Sequence, residues 1–215
     1  MRITPYLVTL LAVVAADSAS AAGAPTATPM VLDLVGNGID LGGQTTTSLF
    51  GPTLTLRWTK ASSDDSFLVI DATALRQKGY DWRSPHGPAL KGNQLVRGGT
   101  ELGTASGKVT IRDSWHLLTL LDANGDGMLS AADPAWPTAS VFTDADANGR
   151  LETSELMALP VSGVKSISLT HAAPTPDDYG NVFRNGTYQT ASGTTRTASG
   201  VTLASGVLRP AALDW

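Results

Sequence analysis

Two twelve-residue segments concentrate the oxygen-bearing side chains of this sequence at regular spacing. In the first, Asp122-Ala-Asn-Gly-Asp-Gly-Met-Leu-Ser-Ala-Ala-Asp133, positions 1, 3, 5, 9 and 12 carry side-chain oxygens and position 6 is glycine. The second, Asp144-Ala-Asp-Ala-Asn-Gly-Arg-Leu-Glu-Thr-Ser-Glu155, fits the D-x-[DN]-x-[DN]-G-x5-E pattern throughout. Calcium is a hard cation that takes roughly six to eight oxygens, and converging carboxylates supply them at the cost of mutual repulsion that the ion relieves. Asn-Gly and Asp-Gly clusters also make metal-free turns, but a turn does not require oxygen ligands at positions 1, 3, 5 and 12.

Calcium is therefore the expected cofactor. In the first loop the ligands would be Asp122, Asn124, Asp126, the Met128 carbonyl, Ser130 directly or through water, and Asp133. In the second they would be Asp144, Asp146, Asn148, the Arg150 carbonyl, Glu152 and a bidentate Glu155. Gly127 and Gly149 stand at the two bends, where a side chain would obstruct the turn. Asp133 is one methylene shorter than the glutamate usual at position 12, which makes the second site the stronger. Leu129 and Leu151 hold position 8 of each loop, and the expectation is that the two loop backbones pair there as a small sheet.

The flanking segments must position these loops. Ile111, Trp115, Leu118 and Leu121 recur at helical spacing, so Asp113 to Leu121 should lead into the first loop as a short helix. Only Pro134 to Thr143 separates the loops, and with Pro134 and Pro137 that span cannot hold both an exiting and an incoming helix. Thr153 to Leu159 should form a short helix stopped by Pro160. Met30 to Leu34, Leu54 to Trp58, Phe67 to Ile70 and Val164 to Leu169 read as strands. Val182 to Thr190 and Thr194 to Leu203 read as a hairpin turning at Ala191-Ser192-Gly193. The expected class is α+β, with short β-strands and hairpins around a compact tandem EF-hand-like calcium-loop pair with short helices.

Composition bounds the rest. The 215 residues are 42% hydrophobic, enough for one domain with a substantial core, and contain no cysteine. Residues 1–21 have the form of a signal peptide, with Arg2 ahead of an apolar run and Ala19-Ser20-Ala21 as a small-residue cleavage site. Residues 22–29 form a proline-punctuated linker, 30–205 the calcium-binding domain and 206–215 a tail. The processed chain is expected to be secreted or periplasmic and free of the membrane, and its net charge of -4 argues against a nucleic-acid partner.

Beyond the loops, Pro29-Met-Val-Leu-Asp-Leu-Val-Gly-Asn-Gly-Ile-Asp40 resembles the opening P-[LI]-V-L-D-L-D-G-D-G-[IV] of the calcium-binding module of large RTX-type secreted proteins. Trp58, Asp64-Asp65 and Phe67-Leu-Val-Ile-Asp71 resemble its W…DD…LLVLD segment, and Gly99-Thr-Glu-Leu-Gly103 its G-x-E-L-F-G turn. Glu155-Leu156 through Gly163-Val164-Lys165-Ser166-Ile167, and then Asn185-Gly-Thr-Tyr188 with Ser192-Gly-Thr-Thr195, follow in the same order, so the resemblance covers about residues 29 to 203. It implies a calcium-binding, largely structural module. Val35 stands where the family has an acid, so a bare turn is expected at Asp33.

The iron-regulated members of this group resemble a calcium-dependent self-processing module that cuts an Asp-Pro bond just before the P-L-x-L-D segment. Here that position reads Thr28-Pro29, without the carboxylate that would attack its own carbonyl. Asp133-Pro134 is the remaining Asp-Pro bond, and self-processing is the alternative to a purely structural role.

His86, His116 and His171 fall in no metal-ligand spacing, and no phosphate loop, G-x-S-x-G elbow or cysteine-histidine pair occurs, so the sequence carries no enzymatic motif. Tyr80, Trp82 and His86 either anchor a loop or offer an aromatic surface to a protein or glycan partner.

Overall fold

A computed structural model describes residues 28–51, 53–83, 93–104 and 107–205. The signal-like segment, most of the linker, His86 and the tail lie outside the described residues. The amino-terminal half supplies β1 (Met30–Asp33), β2 (Gly43–Thr47), β3 (Leu54–Trp58), β4 (Asp65–Asp71), α1 (Ala72–Gln77), β5 (Asp81–Arg83), β6 (Asn93–Leu95), β7 (Glu101–Thr104) and β8 (Gly107–Thr110). Then come α2 (Ser114–Leu121), β9 (Met128–Ser130), β10 (Ala139–Phe142), β11 (Leu156–Ala158), β12 (Val164–His171), β13 (Thr175–Pro176), β14 (Val182–Thr190) and β15 (Thr195–Thr202).

Ten strands form one antiparallel sheet, curled as a half-barrel, whose main path runs β11-β10-β4-β1-β15-β14-β12-β9. The period-2 alternation of its central strands buries both faces. Met30, Leu32, Leu68 and Ile70 join Trp115, Leu118 and Leu121 of α2 in one core, while Val31, Phe67 and Val69 point into a second core with Trp58 and Phe50. The β2–β3 hairpin covers that second core, where Trp58 stacks on Phe67 with ring centroids 4.2 Å apart.

These observations overturn the expected α+β class. The protein is mostly β, with two α-helices among the described residues and no EF-hand helix pair. The helix beginning at Asp113 forms, its carboxylate capping the His116 N–H at 2.8 Å. The helix expected over Thr153 to Leu159 does not. Thr153–Glu155 is a single 3₁₀ turn, and Leu156–Ala158 pairs with β10 through Val141↔Met157, an open sheet edge that overrides a weak local helix preference.

The loops do not pair with each other either. Leu129 lies in β9 opposite Ile167 of β12, whereas Leu151 packs in the second core, so the two position-8 leucines serve opposite faces of the sheet.

Candidate metal centre

Each acidic loop is wound around its first carboxylate. Asp122 accepts the N–H of Gly125 at 2.8 Å and of Gly127 at 2.9 Å, and Asp144 accepts those of Asn148 at 3.0 Å and Gly149 at 2.7 Å. Asp33 treats Gly36 and Gly38 in the same way, at 2.6 and 2.8 Å. The sixth residue of all three loops is thus a glycine at positive φ (98°, 80° and 70° for Gly38, Gly127 and Gly149) whose N–H meets the first carboxylate. Further along, Asn124 and Asp126, and likewise Asp146 and Asn148, turn their side-chain oxygens onto backbone amides two residues ahead.

The loops differ in how they close. In the second, ligand atoms of Asp144, Asp146 and Glu155 lie within 4.8 Å of one another. Glu155 accepts the Ala145 N–H through Oε1 at 2.9 Å, while its Oε2 is buried without a hydrogen-bond partner. Burial is the largest effect on both Asp144 and Glu155 and pushes their carboxyls above the ordinary range, and the neighbouring carboxylates add to this at Glu155. An orphaned carboxylate oxygen amid like charges fits a divalent cation, so the donor set suits calcium.

In the first loop Asp122, Asp126 and Asp133 do not gather into such a group among the described residues. Asp133 is buried, and both of its oxygens accept backbone N–H groups, from Ala123 and Ser130, each at 2.9 Å. The Met128 and Ser130 backbones take part in β9, and Ser130 Oγ accepts the Ala132 N–H at 3.2 Å. In the second loop Arg150 and Glu152 are exposed and outside the carboxylate group.

A second gathering lies outside both twelve-residue loops. Asp33, Asp64 and Asp65 also bring ligand atoms within 4.8 Å. Asp64 reaches across 27 residues to the Asn37 side-chain amide and, through its other oxygen, to the Val35 N–H, each at 3.2 Å. It stands beside the turn where Val35 brings no side-chain oxygen. Asp65 Oδ1 is buried and unpartnered, and burial raises that carboxyl to about 6. The adjacent acids Asp64-Asp65 were visible in the sequence, but nothing in their spacing tied them to Asp33.

A second long-range contact supports the second loop. Trp58 Nε1–H donates to Asp144 Oδ2 at 2.6 Å across 86 residues, and Thr47 Oγ1–H donates to the Gly149 carbonyl at 2.6 Å. The β2–β3 hairpin is therefore the floor of this loop.

The model of the SPM domain matches residues 89–204, both acidic loops included. This chain belongs to the SPM domain family. In an alignment 199 positions long that takes in 86% of the chain, it is 28% identical to iron-regulated protein FrpA of Neisseria meningitidis serogroup C, and it spans 16% of that protein. The match places the SPM chain beside an iron-regulated relative much longer than itself. The Asp33 group and Thr28-Pro29 precede the matched segment, yet β1 is hydrogen-bonded between β4 and β15.

The aromatic segment does not offer a free surface at Trp82, which is buried with its Nε1–H on Thr100 Oγ1 at 3.0 Å. That indole is a loop anchor. No helix among the described residues is long and apolar enough to cross a membrane.

Proposed function

We propose that this chain is a calcium-ordered module of the self-processing type whose own cleavage position has lost its nucleophile. The Asp144, Asp146 and Glu155 group carries the calcium part of this reading, because Glu155 Oε2 is buried beside two other carboxylates with no donor to meet it. Asp144, Asp146, Asn148 and Glu155 would hold the ion there, and Asp122, Asn124, Asp126 and Asp133 form the weaker candidate set. Bound calcium would neutralise the cluster and stabilise the folded state by mass action. Extracellular modules of this kind bind with dissociation constants on the order of 10⁻⁴ to 10⁻³ M, which suits a chain exported behind a signal segment.

Membership of the SPM family and the likeness to FrpA support the processing relation. In an Asp-Pro sequence the side-chain carboxylate can attack its own carbonyl, forming a cyclic anhydride and releasing the proline amine. Thr28 has no carboxylate, and its Oγ1 accepts the Gly98 N–H at 3.0 Å. At Asp133-Pro134 the carboxylate exists, but both oxygens are occupied by backbone amides. The proposal is therefore calcium-dependent folding without cleavage.

Calorimetric titration with calcium, alongside thermal melts, tests the first half: heat release and a raised melting temperature are expected, both largely lost in Glu155→Gln. A silent titration would remove the calcium reading. Mass spectrometry tests the second half. The chain should stay intact with calcium, whereas Thr28→Asp should split before Pro29 only when calcium is added; a Thr28→Asp chain that remains whole counts against the processing relation.

A further inference from the structure

We propose that a cleft at the start of α2, facing β12, β14 and β15, binds the carboxylate of a peptide, with Arg112 as its charge partner. The proposal is independent of the calcium reading. The cleft has a volume of about 590 Å³, and its walls carry two arginines, Arg112 and Arg184, the imidazoles of His116 and His171, and a single acid, Asp113. That acid is already occupied. Asp113 Oδ2 pairs with Arg184 Nη1 at 3.1 Å and its Oδ1 accepts the His116 N–H. The Arg112 guanidinium has no ion pair among the described residues, so the cleft keeps an excess positive charge on a chain of net charge -4.

A further donor is fixed in place. His116 Nδ1 accepts the Arg112 backbone N–H at 3.1 Å, which leaves the proton of the neutral ring on Nε2.

The wall behind these groups is rigid. Trp115 donates Nε1–H to the Arg184 carbonyl at 3.0 Å and stacks on His171 with centroids 5.2 Å apart. A guanidinium and an imidazole N–H suit a planar monoanion, which an arginine fork can bind through two parallel hydrogen bonds. A tetrahedral dianion would bring a second negative charge against Asp113. Carboxylate is the matching chemistry, supplied by either a chain end or an acidic side chain.

The test follows the His116 and Trp115 side-chain NMR signals of the full chain in calcium buffer. N-acetylalanine presents a chain-end carboxylate, N-acetylaspartyl amide a side-chain carboxylate, N-acetylalaninamide neither, and sulfate a dianion. Saturable shifts are expected with one or both carboxylates, at a dissociation constant on the order of 1 mM, and the tighter of the two identifies the source. Arg112→Ala should weaken binding by at least about tenfold. No saturable shift, equal response to sulfate or to the neutral amide, or unchanged affinity in Arg112→Ala overturns the proposal.

Discussion

The two acidic loops obey nearly the same sequence rule and end in different chemistry. Both wind on a first aspartate and bend at a glycine in position 6. In the first, the last carboxylate turns back onto the Ala123 and Ser130 amides and closes the loop by itself. In the second, Glu155 spends one oxygen on Ala145 and leaves the other buried beside Asp144 and Asp146. A loop whose closing acid is satisfied internally can fold without metal; one whose closing acid is orphaned gains from a cation. The hairpin under the second loop enforces the difference, because Trp58 and Thr47 hold Asp144 and Gly149 from below.

The largest break in this comparison should come at the bends. Gly127 has φ 80° and open space around it, so Gly127→Ala should cost only the left-handed strain, about 1–2 kcal/mol. At Gly149 a Cβ would also stand 2.9 Å from Thr45 Cγ2, and Gly149→Ala should cost about 3–4 kcal/mol in denaturant melts. Equal losses at the two glycines would mean that the hairpin does not constrain the second loop. Next in size is the closing acid. At calcium a hundredfold above its dissociation constant the ion adds about 2.7 kcal/mol, which Glu155→Gln should largely remove from the calcium-induced rise in melting temperature. Asp133→Asn should do the opposite, weakening the calcium-free fold while leaving most of that rise in place.

Trp58→Phe keeps an aromatic ring in the second core and removes the N–H that meets Asp144 together with part of the buried indole. It should cost about 1.5–3 kcal/mol and lower calcium affinity, measured by calorimetry. An unchanged calcium affinity would separate the hairpin from the site.

Acid titration sharpens the same contrast. Burial raises Asp65 from 3.8 to about 6 and also raises Asp144 and Glu155, so these carboxyls hold their protons more tightly folded than unfolded. Their contribution is full below the ordinary carboxylate range and is lost as pH rises through the folded values. The calcium-free melting temperature should therefore contain a component that falls between 3.8 and about 6, diminished in Asp65→Asn. Calcium affinity should rise over the same window, because the ligands must lose their protons. A melting profile identical in the wild type and Asp65→Asn would contradict this.

What could be read from the sequence was whatever rests on neighbours along the chain. The Asp113 cap, the α2 spacing, the β14–β15 hairpin and the order of the acidic residues all follow from local chemistry. What could not be read was imposed from a distance. Leu156 to Ala158 becomes a strand because β10 offers an edge, and Leu129 pairs with Ile167 rather than with the second loop. Asp64 reaches Val35 and Asn37, and Trp58 reaches Asp144, through contacts that no spacing rule encodes. The α+β expectation failed for the same reason: it continued the second loop into a helix over Thr153 to Leu159, where β10 pairs with the chain instead.

The smallest predicted effect lies at position 4, where the first loop has Gly125 at φ 70° and the second has Ala147 at φ 58°. Both backbones are left-handed there, but only alanine carries a Cβ into that region. Thr45 Oγ1–H holds the Ala147 carbonyl at 3.0 Å, so the hairpin keeps the residue in a conformation it would not choose. Glycine at 147 would relieve that strain at the cost of greater freedom in the unfolded chain. The folded-state term is the larger, so Ala147→Gly should stabilise the calcium-free protein by up to about 1 kcal/mol in urea melts. A loss of stability would mean that the second loop gains more from a stiff unfolded chain than it loses to strain, and the hairpin would no longer account for the difference between the two loops.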